Sequence, residues 1–202
     1  MTTAEIILAL TFRKAQKPGP DWLTITGGNP ALYDLQDVAV SWQDDLGGKV
    51  AVETQGSKWH DWLSGVDMLT VSPKPPSSGM VMAATADSLR IFMAKAAAFG
   101  TPTCLKVVVF DEADYLFARR VHQQYPKPPF YLSCGTAMGG LSGEWVPSQR
   151  RPQGRPFVDT EGDLLARYRW LAERAMADPQ MADVAVFPQL HSLTWGITTR
   201  GV

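Results

Sequence analysis

Two hydrophobic periods alternate along this chain. Short apolar runs closed by glycine, proline or small polar residues read as strands, and longer runs with apolar positions three and four apart read as helices. Thr3 to Arg13 is an amphipathic helix, broken by Lys17-Pro18-Gly19-Pro20. Trp22 to Thr26 is a strand ending in Gly27-Gly28, and a helical run through Leu35 and Trp42 follows, stopped by Gly47-Gly48. Val50 to Thr54 is the next strand, closed by Gln55-Gly56-Ser57. After a turn from Trp59 to Leu63 comes the strand Asp67 to Val71. Ala84 to Phe99 is an alanine-rich helix ended by Gly100, with Pro102 just beyond.

Leu105 to Phe110, apolar apart from Lys106, reads as a strand buried on both faces. Asp111 then caps a helix to Gln124, with Glu112 and Asp114 in its first turn, where acidic groups oppose the helix dipole. Pro129 to Ser133 is a further strand, Glu161 to Ala177 the last long helix, and Val184 to Phe187 the last strand. The segment at about 136–157, dense in glycine and proline, reads as an inserted loop. About six strands and four or five helices in βα order predict an α/β fold with a parallel sheet or barrel, and 202 residues predict a single domain, 1–202.

Composition narrows the function. A formal charge of -1 with 45% hydrophobic residues describes an ordinary globular protein. It lacks the concentrated Lys and Arg that binding to nucleic acid or an anionic membrane needs. Arg150, Arg151 and Arg155, among prolines and a glycine, read as a solvated loop. Neither a signal peptide nor a membrane span is predicted, so a cytoplasmic location is expected. The only cysteines, Cys104 and Cys134, are too far apart in sequence for a close-spaced metal pair and read as small buried residues beside strands. Val107 to Asp114, VVVFDEAD, looks like a triphosphatase metal strand, but no phosphate loop accompanies it and the helix cap is the simpler account.

Polar groups gather where predicted strands end. Ser72 to Met80, SPKPPSSGM, cannot extend its strand, because Pro73, Pro75 and Pro76 lack amide donors and fix φ. It is either a surface turn whose lysine faces water or a rigid loop holding Ser72 and Lys74 at a strand's carboxyl end, where α/β folds bind ligands. Thr26-Gly27-Gly28-Asn29 and Glu53-Thr54-Gln55-Gly56 occupy two other strand ends. The glycine pair is either a tight turn or a place of close ligand approach, and Glu53 is either satisfied by backbone or meets a ligand ammonium group. A fourth collection, Gln189, His191, Trp195 and Arg200, follows the last strand, and the Val202 carboxylate lies beyond it.

TITGGNPAL at 24–32, ETQGS at 53–57, SPKPPSSGM at 72–80, LKVVVF at 105–110 and PQLHSLTWG at 188–196 together resemble, in order, the 7-carboxy-7-deazaguanine synthase family of radical S-adenosylmethionine enzymes. The resemblance implies a partial (β/α) barrel and a carbon–nitrogen lyase on the queuosine-type route. Its members convert 6-carboxy-5,6,7,8-tetrahydropterin to 7-carboxy-7-deazaguanine with a four-iron, four-sulfur cluster, S-adenosylmethionine and magnesium. By the same resemblance Gly27, Gly28, Ser72, Pro73 and Lys74 hold S-adenosylmethionine, Thr26, His191 and Val202 contact the substrate, and Glu53 and Lys74 are the candidate catalytic groups. A reductase donates the electron.

The family's three closely spaced cluster cysteines and the neighbouring magnesium ligand have no counterpart in this sequence, so no metal-ligating residue is assigned. The expectation is a chain missing the first barrel strand and cluster loop, through a late start codon or a split gene. Its open barrel edge predicts a homodimer or pairing with a separately encoded N-terminal fragment. The competing expectation is a remnant or partner subunit that binds S-adenosylmethionine or a pterin without radical chemistry.

Overall fold

The fold is taken from a computed structural model, which describes residues 2–16, 21–80, 86–136 and 161–196. Outside these lie the KPGP run, the expected helix start at Ala84, all but the first residue of the expected insertion, the arginines of the basic cluster, Arg200 and Val202. The chain divides into two compact units, one made of Met1–Pro73 and Ala83–Cys104, the other of Lys74–Met82 and Leu105–Val202.

In the first unit α1 (Thr3–Gln16) precedes β1 (Trp22–Ile25), and the helical run expected next is divided. It consists of a 3-10 turn at Pro30–Leu32, a short α2 (Gln36–Val40) and a π-turn at Ser41–Asp45. β2 (Lys49–Thr54) pairs in parallel with β1 and with β3 (Met68–Val71). Their side chains alternate as strand geometry requires. Val50, Val52, Leu69 and Val71 are buried and form the core with Leu89 and Phe92 of α3 (Ala86–Phe99), while Ala51, Glu53 and Thr70 are half-buried on the opposite face. Gly56 is confined to glycine: at φ +73°, its added Cβ would stand 2.7 Å from Val71 Cγ1. Trp59 stacks on Phe99 at 5.7 Å and meets Phe92 edge-on at 5.2 Å, closing the α3 side of the core.

In the second unit β4 (Thr103–Val109, its first two residues assigned to the first unit), β5 (Phe130–Cys134) and β6 (Ala185–Phe187) are mutually parallel. β4 departs from expectation. Leu105, Val107 and Val109 are fully buried, but Lys106 and Val108 are half-buried, so one face alone is sealed. Lys106, the charged residue of the run, lies on the face that is not sealed.

The Asp111 cap is as expected: its side chain accepts from the Asp114 N–H at 3.0 Å and starts α4 (Glu112–Gln124). α5 (Glu161–Met176) packs on β5 and β6. Past the last strand, where the sequence pattern assigned no element, the chain forms α6 (Leu190–Trp195). No helix among the described residues is long and apolar enough to cross a membrane.

Candidate functional site

The carboxyl ends of β1, β2 and β3 lie side by side because their strands are parallel and in register. Thr54, the last residue of β2, joins them. Its carbonyl accepts the Ser72 N–H at 2.7 Å, the final bond before Pro73 ends the ladder. Its hydroxyl donates to Asn29 Oδ1 at 2.7 Å, and Asn29 Nδ2 donates to Ser57 Oγ at 2.9 Å. Gln55 Nε2 donates to the same Ser57 Oγ at 3.0 Å. A buried amide and a buried hydroxyl therefore fix GGNP to ETQGS, a pairing of Asn29 with Thr54 that spacing along the chain could not disclose.

Around this frame lie the other candidate residues of the first unit. Ser72 is 1% exposed, and its Oγ has no hydrogen-bond partner among the described residues. An orphaned buried hydroxyl costs about 1–3 kcal/mol unless something else meets it. Gly27, at φ +96°, and Gly28 are exposed, with no heavy atom of the described residues within 4 Å of an added Cβ, so their backbone faces solvent at this strand end. Thr26 is exposed beside them, and Glu53 lies on the half-buried face opposite Thr70. The sequence-derived Thr26, Gly27, Gly28, Glu53, Ser72 and Pro73 thus fall on three adjacent strand ends. Orphaned hydroxyl and open glycine backbone are the donors that an anionic, polar cofactor end requires, and they fit S-adenosylmethionine.

The remaining candidates belong to the second unit. Ser72, Pro73, Pro75 and Ser77 are buried and Lys74 is half-buried, so SPKPPSSGM is not a solvated turn. A 3-10 turn at Pro76–Ser78 follows, ended by Gly79 in the left-handed region at φ +66°. Asp114 meets this turn: Oδ1 accepts the Ser77 N–H at 3.1 Å and Oδ2 the Phe110 N–H at 3.0 Å. Burial pushes the Asp114 carboxyl above its ordinary range, and the bonds from Ser77 and Phe110 pull it back in part. His191 lies on α6, Val202 lies outside the described residues, and Gln189 accepts from Thr136 Oγ1 at 2.6 Å.

A second polar cluster holds α4 to α5. Tyr115 is fully buried and donates to Asp178 Oδ2 at 3.1 Å, with the Arg174 guanidinium 4.3 Å from its ring. Arg119 Nε is 3.2 Å and Arg174 Nη1 3.7 Å from the same carboxylate oxygen. Burial, and then the bond to Asp178, push the Tyr115 hydroxyl up to about 12. Burial also works against the Asp178 charge, yet the Gln180 N–H, the Tyr115 hydroxyl and the two arginines outweigh it and hold the carboxyl below its usual range. Each member lies within hydrogen-bond or ion-pair distance of another, although Arg119 Nε makes no hydrogen bond among the described residues, and this mutual engagement braces α4 against the end of α5.

The two cysteines do not fit an iron–sulfur cluster. Both are buried and unbridged, on β4 and β5, and Cys104 Sγ is engaged with Thr70 Oγ1 at 3.4 Å. Among the described residues no three His, Cys, Asp or Glu side chains group as metal ligands.

No protein-family model matches the chain. It is 39% identical over 180 residues to the 7-carboxy-7-deazaguanine synthase of Bacillus cereus, an alignment spanning 89% of this chain and 68% of that protein. With the enzyme of the same name from Bacillus subtilis (strain 168) the identity is 35% over 186 residues, with the same shares. The chain belongs to the 7-carboxy-7-deazaguanine synthase family. Among solved structures, Streptococcus suis SuiB bound to S-adenosylmethionine matches at TM-score 0.58 and 11% identity, over 100% of this chain and 46% of SuiB. SuiB bound to its precursor peptide SuiA matches at 0.57 and 12%, over 92% of this chain. This family member thus spans less than half of SuiB and about two thirds of its curated relatives. The likeness bears out the expected fold class, a partial α/β barrel of the radical S-adenosylmethionine type.

Proposed function

We propose that this chain carries the S-adenosylmethionine- and substrate-binding part of a 7-carboxy-7-deazaguanine synthase, acting on 6-carboxy-5,6,7,8-tetrahydropterin to give 7-carboxy-7-deazaguanine. The observation that carries this reading is the buried Ser72 hydroxyl, without a hydrogen-bond partner among the described residues, at the same end of the β1–β3 strands as Gly27-Gly28, in a chain 39% identical to such an enzyme. Gly27, Gly28, Ser72, Pro73 and Lys74 hold S-adenosylmethionine, Thr26, His191 and Val202 contact the pterin, and Glu53 and Lys74 are the polar groups nearest the chemistry. When bound, S-adenosylmethionine supplies the radical-generating chemistry of the family. No step is assigned through an iron–sulfur cluster or magnesium.

A carbon–nitrogen lyase class, a queuosine-type route, a cytoplasmic location, a homodimer and a reductase donor belong to the same reading. So does a single domain over 1–202, with its insertion at about 136–157. Calorimetry of the full chain with S-adenosylmethionine, and then with the pterin, tests it. Saturable heat with both ligands, weakened for the first by Ser72→Ala, is expected. Absence of heat with either would overturn the proposal.

A further inference from the structure

Asp114 occupies the third position of α4, where a carboxylate ordinarily turns back toward the helix's own first amides or into water. Here it does neither. The side chain is 0% exposed, and it reaches across 37 positions of sequence to the Ser77 N–H while its other oxygen takes the N–H of Phe110, the residue after β4. α4 has no need of this arrangement, since Asp111 already caps it. Burying a carboxylate is costly unless donors meet it, so both amides are held firmly by a charge that has nowhere else to go.

The turn it grips is largely built in advance. The Pro75 carbonyl accepts both the N–H and the Oγ–H of Ser78, at 3.0 and 2.6 Å, and Gly79 N–H bonds to the Pro76 carbonyl at 3.2 Å. Pro75 and Pro76 have no donor to contribute. Such a turn is stiff but needs a fixed point to set its position, and the Ser77 N–H provides one on a distant element. Lys74–Met82 accordingly packs with the second unit, although the chain before and after it belongs to the first.

We propose that Asp114 is a positioning residue for the SPKPPSSGM loop: its buried carboxylate anchors Ser77 and thereby fixes where Lys74, three residues earlier, is presented to the bound cofactor. The inference rests on the reading of this loop as an S-adenosylmethionine contact. Asp114 itself touches no ligand; it acts through the turn.

The test combines amide hydrogen exchange with calorimetry, using S-adenosylmethionine as the probe and the full chain throughout. In the unsubstituted protein the Ser77 amide should exchange slowly without ligand. In Asp114→Asn, which keeps the size but sets an amide NH2 against one of the two N–H donors, residues 74–79 should exchange at least about 10-fold faster. Affinity for S-adenosylmethionine should fall about 10-fold, as expected for loss of a charge-assisted bond. Tyr115→Phe, on the same helix and facing Asp178, should lower thermal stability and leave that affinity unchanged, which separates positioning from general weakening. A freely exchanging Ser77 amide in the folded unsubstituted protein overturns the inference, and this holds even if Asp114→Asn does not fold. Unchanged affinity in Asp114→Asn despite a loosened loop also overturns it. No binding by the unsubstituted protein overturns the reading of the site itself, and is seen before any substitution is made.

Discussion

At the carboxyl ends of β1 to β3, Ser72 is buried with no partner for its hydroxyl among the described residues and Gly27-Gly28 is exposed; in the second unit Tyr115, Asp178, Arg119 and Arg174 meet one another within hydrogen-bond or ion-pair distance. Both regions bury polar atoms, but in the second the polar and charged side chains engage one another. A mutually engaged cluster holds elements together. An unmet hydroxyl weakens the empty protein and keeps a donor in reserve. Mutual engagement of the charged and polar side chains, rather than polarity alone, therefore separates a structural brace from a candidate site.

The strongest way to break the contrast is Tyr115→Ala. Emptying a fully buried aromatic site and abandoning Asp178 should cost about 3–5 kcal/mol in urea unfolding, while S-adenosylmethionine still binds below the unfolding transition. Gly28→Ala probes the other side. The new methyl meets no protein atom, so the melting temperature should stay within error, yet it occupies the space a ligand would enter and affinity should fall about 10-fold. Equal affinity by calorimetry would return the glycine pair to the role of a simple turn.

Ser72→Ala should move stability and binding in opposite directions. Removing an unmet buried hydroxyl should leave the empty protein unchanged or stabilise it by about 1 kcal/mol, while affinity for S-adenosylmethionine drops. A stability loss instead would mean that the hydroxyl serves the fold.

The smallest effect is in pH. Asp178 has a folded pKa below its unfolded value, so its contribution is present above the ordinary carboxylate pKa of about 3.9 and is lost as pH falls through the folded value. The destabilisation caused by Asp178→Asn should therefore be larger at pH 7 than at pH 3. Asp114 has the opposite sign: its raised value makes its ionised form cost stability as pH rises from about 3.9 through that value. Urea midpoints across this range, for both Asn variants, check the two signs.

Much of the molecule was legible before the structure. Strand positions, the Asp111 cap, the stop at Gly100 and the gathering of polar residues at the ends of β1 to β3 all rest on signals carried within a few residues: a period, a cap, a proline. The elements misjudged lacked such a signal. LHSLTW has no capping side chain to announce α6, and the Ser41–Asp45 segment differs from an α-helix only in how its hydrogen bonds are spaced.

What the sequence by itself determined, then, is the order of strands and helices and the gathering of polar residues where strands stop, because those are local properties of the chain. Which of the polar groups are satisfied was decided by tertiary structure alone. Asn29 finds Thr54 across 25 positions, Asp114 finds Ser77 across 37, Tyr115 finds Asp178 across 63, and Ser72 finds no protein partner among the described residues. A hydrogen bond depends on position in space, and residues so far apart in sequence acquire neighbours only when the chain folds.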